Sequence, residues 1–216
     1  MNELIKVAID SPAAAGAGTQ SKLIAKEYKL FYLDTGKIYR YVAYLKIINK
    51  KKFGYNYIKK KINNLKINQL KNKSLLSDDV ATIASTIAKN KKIRIIVSNF
   101  QKKTANTPPK GFKGCILDGR DITSVIMKNA TFKFFITASI KVRAMRRYKE
   151  LINLKKKTTY QEVLKSIRKR DTIDYNRAIS PLKKTKDSIL INTTNLSKRA
   201  CFLKIKKIMD KKIQKI

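Results

Sequence analysis

An open α/β fold, a parallel sheet covered by helices on both faces, is predicted by three features of this 216-residue chain. Five short runs rich in β-branched and aromatic residues read as buried strands. Helical stretches lie between them, and strand alternating with helix is the order that parallel crossovers require. A hydrophobic content of 43% is enough for one domain with a proper apolar interior, and only 7 Gly and 4 Pro exclude collagen-like and low-complexity classes.

The first strand runs from Ile5 to Ile9 and is followed by a helix at Ser21 to Tyr28; the second, Phe31 to Leu33, leads into a helix at Ile38 to Ile48. From Asn49 to Gly114 the rhythm breaks into a polar, lysine-rich stretch that reads as an insertion with one clear helix. Ser77, Asp78 and Asp79 supply that helix with a cap and first-turn acids, and Val80, Ile83, Ala84, Ile87 and Ala88 form its apolar stripe. Thr107-Pro108-Pro109-Lys110-Gly111 is a loop that returns the chain to a third strand at Cys115 to Leu117. A fourth strand at Lys133 to Thr137, a helix at Ile140 to Leu151, a fifth strand at Ser188 to Ile191 and a closing helix at Leu196 to Ile213 complete the order.

Composition removes several kinds of chemistry. With no His, a histidine general base, triad or metal site is excluded. Cys115 and Cys201 stand alone without a C-x-x-C pair, so they support neither a metal site nor a disulfide framework, and they suit a reducing cytoplasm. No apolar run approaches the roughly 18 residues of a membrane span. The start, MNELIKVAID, carries acids where a signal peptide has an apolar block, so a cytoplasmic location is expected. Lys+Arg of 51 against Asp+Glu of 14 gives +37. Such a field attracts polyanions such as nucleic acid, but the lysines are spread along the chain rather than gathered in one arm, which favours a general compositional preference.

The loop after the first strand is Asp10-Ser11-Pro12-Ala13-Ala14-Ala15-Gly16-Ala17-Gly18-Thr19-Gln20. Small residues between a buried strand and a helix N-terminus let backbone N–H groups and the helix dipole face one concavity, a natural cradle for phosphate. Against G-x-x-x-x-G-K-[ST] the loop keeps Gly16 and has a hydroxyl at Thr19, one residue past the pattern's [ST] position, but has Ser11 for the first glycine and Ala17 for the lysine. As a dinucleotide fingerprint it lacks the third glycine and the later acid. On the loop alone, a phosphate cradle and a plain strand-to-helix turn stay equally open.

Four further stretches sharpen the reading. They are Tyr32-Leu33-Asp34-Thr35-Gly36-Lys37-Ile38-Tyr39-Arg40; Leu117-Asp118-Gly119-Arg120-Asp121-Ile122; Thr137-Ala138-Ser139 with Arg143, Arg146, Arg147 and Tyr148; and the run from Arg170-Asp171 through Asp174 and Arg177 to Pro181-Leu182. In this order, with the loop before them, they resemble the bacterial cytidylate kinases, which are P-loop nucleoside monophosphate kinases. The resemblance covers nearly all the chain except the lysine-rich part of the insertion. It implies a P-loop NTPase-type three-layer fold with a central five-stranded parallel sheet. The core would be residues 1–36, 111–147 and 175–216, with an acceptor-binding insertion at 37–110 and a lid at 148–174.

The resemblance further implies transfer of the γ-phosphoryl of ATP to CMP or dCMP, with Mg²⁺ bridging the donor phosphates. Phosphoryl transfer asks the protein mainly to position two polyanions and neutralise their charge, and arginine forks do that well. Ser11, Ala14, Ala15, Gly16, Ala17, Gly18 and Thr19 would bind ATP, with Thr19 also on the metal. Arg40, Arg120 and Arg177 would hold the acceptor phosphate, Arg170 and Asp174 its sugar, and Thr35 would line its pocket. Ser85, Arg94 and Asp121 match positions that read cytosine, with Gln101 seven residues after Arg94. Arg143, Arg147 and Arg170 would close over the reacting phosphates. Taken without the other motifs, Arg143, Arg146 and Arg147 read more readily as a solvated helix face than as catalytic groups, and Asp34 and Asp118 also fit helix or turn caps rather than magnesium-organising groups.

The sequence departs from the family pattern at Ala17, where the phosphate-loop lysine is expected; losing one preorganised donor costs on the order of 10² to 10³ in rate. Lys37, one residue after Thr35-Gly36, is the expected substitute. Ser11, Ala14 and Thr123 replace glycines, and Lys128-Asn129 stands for Pro-Asp. A basic nucleic-acid-binding protein on a degenerate kinase fold and a kinase for UMP or AMP are the alternatives. A monomer without membrane partners is expected.

Overall fold

The computed structural model describes residues 4–214. In chain order the elements are β1 (Ile5–Asp10), α1 (Ala17–Glu27), β2 (Phe31–Asp34), α2 (Thr35–Ile48), α3 (Tyr55–Asn63), α4 (Asp78–Ile87), α5 (Lys91–Asn106), β3 (Gly114–Gly119), β4 (Phe132–Thr137), α6 (Ile140–Asn153), α7 (Tyr160–Asn176), β5 (Ile189–Asn192) and α8 (Lys198–Ile213). They divide into two compact units. One runs up to Leu33 and resumes at Pro109, and the other is Asp34–Pro108.

The first unit is built on a five-stranded sheet in the order β2-β3-β1-β4-β5. β1 pairs in parallel with both β3 and β4, and β4 with β5. The expected parallel α/β sheet is therefore present. Val7, Ile9, Ile116, Phe134, Ile136 and Ile191 bury completely, joined by Ile24 of α1 and Ile205 and Met209 of α8. These strand side chains share one face of the sheet, and Ala8, Cys115 and Leu117 on the other face are buried as completely, so the strands are apolar on both faces. Cys115 and Cys201 are free and buried, small apolar fillers of the interior, and burial pushes the Cys115 thiol up to about 11. Register places Asp10 opposite Gly119 and Phe135, and Thr137 opposite Asn192. The loops leaving β1, β3 and β5 thus gather at the carboxyl edge of the sheet, where the strand order reverses and ligands bind in open α/β folds.

The second unit is helical. α2 packs on α4, and α3 on α5, with short 3-10 turns at Lys50–Lys52, Ile67–Lys71 and Lys73–Leu76. The single helix expected in this stretch is α4, begun as predicted by Ser77, whose hydroxyl accepts from Val80 N–H. α3 and α5 are corrections. α3 buries only Ile58 and Ile62 among lysines, too few apolar positions to register as a stripe. α5 buries Arg94 and Gln101 beside Ile93, Val97 and Ala105, so polar groups interrupt its apolar period. The same masking hid α7, whose buried face includes Asp174 beside Val163, Leu164 and Ile167. Helix α1 also begins four residues earlier than expected, at Ala17, because Gly16 turns the chain in a left-handed conformation with φ 93°.

Candidate active site

The loop from Ser11 to Gly16 follows β1 and runs directly into α1. Its shape needs positive φ at Gly16 and at Ala14, which sits at φ 58° without glycine's freedom. The loop is tied down from outside. Ser11 N–H donates to Gly119 O, Arg143 to Ala13 O at 3.1 Å, and the Thr193 hydroxyl to Ala15 O at 3.1 Å. With those carbonyls engaged behind the loop, the start of α1 offers its N–H groups and dipole to an anion.

Behind the loop, Asp10 is fully buried and accepts from Ile122 N–H, Thr123 N–H and the Thr123 hydroxyl at 2.7, 2.9 and 2.6 Å. Burial pushes its carboxyl above the usual aspartate range. Asp10 thus fixes the segment after Arg120-Asp121, a role missed in the sequence. The signal was Thr123 standing where the family has glycine: its hydroxyl is one of the donors.

Asp118, at the end of β3, accepts from the Tyr32 hydroxyl, and its Oδ2 lies 3.3 Å from where a Cβ on Gly18 would stand. A carboxylate therefore lies beside Gly18, and Thr19, the next residue, is exposed. Among the described residues no cluster of three or more His, Cys, Asp or Glu side chains could hold a metal ion. Mg²⁺ needs no such cluster, since it binds through few protein ligands, substrate phosphates and water.

The structure gathers five predicted acceptor residues. Arg120 Nε donates to Asp174 Oδ2 at 2.7 Å; Arg170 and Arg177 each lie 3.9 Å from the same carboxylate; and Arg177 also lies 3.9 Å from Asp121. Asp174 and Asp121 are buried, and Leu182 N–H closes on Asp174 O at 2.7 Å. Three guanidinium groups against two carboxylates leave a surplus positive charge, which suits a phosphate monoester.

The α6 arginines separate into distinct roles. Arg143, only 5% exposed, forms a two-point ion pair with Asp171 of α7, at 3.0 and 2.6 Å, while bonding Ala138 O and Ala13 O. It links the loop to α7 rather than facing solvent. Arg147 pairs with Glu150 one turn on. Arg146 donates to the Thr193 hydroxyl and carbonyl at 2.9 and 2.7 Å.

In the second unit Thr35 is buried in the first turn of α2, which Asp34 caps by accepting from Lys37 N–H. Asp34 is thus a helix cap. Arg40 donates to Leu75 O at 2.9 Å. Arg94 donates to Ala88 O and lies 5.7 Å over the Tyr39 ring, with Gln101 buried on the same helix. Ser85 is exposed on α4 and donates to Thr82 O. Lys37 is half-buried.

Residues 7–211 match the family model described as cytidylate kinase. The chain is 38% identical over 226 residues to a cytidylate kinase of Clostridium tetani, covering 98% of this chain and 96% of that protein. It is 39% identical over 223 residues to one of Fusobacterium nucleatum, covering 98% of each. A crystal structure of an uncharacterized protein from Eubacterium ventriosum shares the fold with a TM-score of 0.56 at 15% identity, over 95% of this chain and 98% of that one.

Proposed function

Because the chain belongs to the cytidylate kinase family, it is an ATP-dependent phosphotransferase acting on CMP or dCMP, and we propose how its own residues divide that work. Arg40, Arg120 and Arg177 bind the acceptor phosphate, Arg170 and Asp174 its sugar, and Thr35 lines its pocket. Ser85, Arg94 and Asp121 read the base. An ionised aspartate accepts from the exocyclic amine of cytosine, which uracil replaces with a carbonyl, so Asp121 selects the ring. The observation that carries this reading is the cluster in which Arg120, Arg170 and Arg177 surround Asp174 and Asp121.

The donor side is the loop from Ser11 to Thr19. N–H groups of Ala14 to Thr19 hold the ATP phosphates, and the loop stays in place because Arg143 and Thr193 hold its carbonyls from behind. Mg²⁺ would be held by Thr19 with Asp118 nearby, and when bound it neutralises charge between donor phosphates. Arg147 and Arg170 contribute charge as the segment 148–174 closes and excludes water.

No helix among the described residues is long and apolar enough to cross a membrane. Two free thiols suit a reducing compartment, the cytoplasm. A coupled assay of ADP release with CMP, dCMP, UMP and AMP as acceptors tests the reading. Turnover with CMP or dCMP well above the other two supports it, whereas equal use of all four, or no acceptor-dependent ADP, overturns it.

A further inference from the structure

Ala17 occupies the position of the loop lysine, yet the loop does not lack a cation. Helix α6 carries Arg146 to it: the guanidinium Nη1 lies 4.0 Å from where a Cβ on Gly16 would stand, one residue before Ala17. Two hydrogen bonds to Thr193 hold the fork there, at 2.9 and 2.7 Å. Thr193 is itself buried, and its hydroxyl donates to Ala15 O, so the guanidinium is fixed to the loop through a single intermediary. Thr193 takes one N–H from each terminal nitrogen, and the guanidinium has further N–H groups to donate. Its partners are neutral oxygens, whereas Asp171 engages Arg143 and Glu150 engages Arg147.

We propose that Arg146 supplies the donor-phosphate charge that Ala17 cannot, making it a substrate-binding residue of the donor site. The inference rests on the phosphotransfer reading above. An arginine here differs from a loop lysine in a way that can be measured. A lysine on a flexible stem follows the transferring phosphoryl group, but a fork clamped by Thr193 stays at the loop and binds donor phosphate before and during transfer. Its removal therefore weakens ATP binding as well as turnover, while acceptor binding is untouched.

The test compares Arg146→Met, Ala17→Lys, the double variant and Lys37→Ala, reading steady-state kinetics and the dissociation constant for ADP by equilibrium dialysis. Arg146→Met is expected to lower kcat/KM for ATP by about 10² or more, with weaker ADP binding and a KM for CMP within about twofold. Adding Ala17→Lys to it should restore at least about tenfold of that loss, which a role confined to folding would not allow. Arg146→Met leaving both kcat/KM for ATP and ADP binding within about threefold overturns the proposal. So does a double variant that recovers nothing, or the whole donor-side loss appearing in Lys37→Ala instead. If the wild type binds ADP through Arg146 but makes no CMP-dependent ADP, the phosphotransfer reading fails while the donor site stands.

Discussion

The two units of this protein differ in how acids stand among their arginines. In the first, carboxylates hold two of the forks, Asp171 that of Arg143 and Asp174 that of Arg120, at 2.6 and 2.7 Å, while Arg146 rests on Thr193. In the second, no Asp or Glu occurs between Asp34 and Asp78 or from Val80 to Pro108, and the forks of Arg40 and Arg94 rest on backbone carbonyls. Removing a fork that an acid holds strands that acid, which ties Arg143 to stability. The scarcity of acids in the second unit leaves it a positive field for an incoming anion.

The sharpest break in that comparison is Arg143→Met, which strands Asp171 and is expected to destabilise the protein by about 3–5 kcal/mol in urea unfolding. Arg40→Met is its counterpart on the substrate side, where kcat/KM for CMP is expected to fall by about 10² in steady-state assays. If kcat/KM for CMP stays within about threefold in Arg40→Met, that role for the second unit is wrong. Ala14→Gly relieves a left-handed alanine and is expected to raise stability by about 0.5–1 kcal/mol, read in thermal melts. The smallest effect lies at the start of α7. Hydrogen bonds from Thr159, first through its backbone N–H, and from Thr158 hold the Glu162 carboxyl below its ordinary value of 4.5. Its contribution is therefore present above that pH and lost as pH falls through the lowered value. Amide exchange in the first turn of α7 should speed up on acidification, and Glu162→Gln should remove that dependence.

The strands were legible because burial on both faces leaves unbroken apolar runs, and the members of the arginine–aspartate cluster because they sit in spaced motifs. What hid from the sequence was polar chemistry on helices. Arg94 and Gln101 interrupt the stripe of α5, and Asp174 that of α7, so the groups assigned to the acceptor also erased the periodicity of the helices that carry them. Arg143, Arg146 and Arg147 fall at helical spacing and read as one solvated face; contacts with Ala13, Thr193 and Glu150 separate them into three roles. Lys37 drew attention by its place beside the motif, whereas Arg146, remote in sequence from Ala17, was visible only once the chain had folded.

The most direct test of the account is the ratio of kcat/KM for CMP to that for UMP, measured in the wild type and in Asp121→Asn. The account predicts a preference for CMP of about 10² or more that collapses toward unity in the variant, chiefly through loss of CMP turnover. A ratio that is unchanged by Asp121→Asn would contradict it.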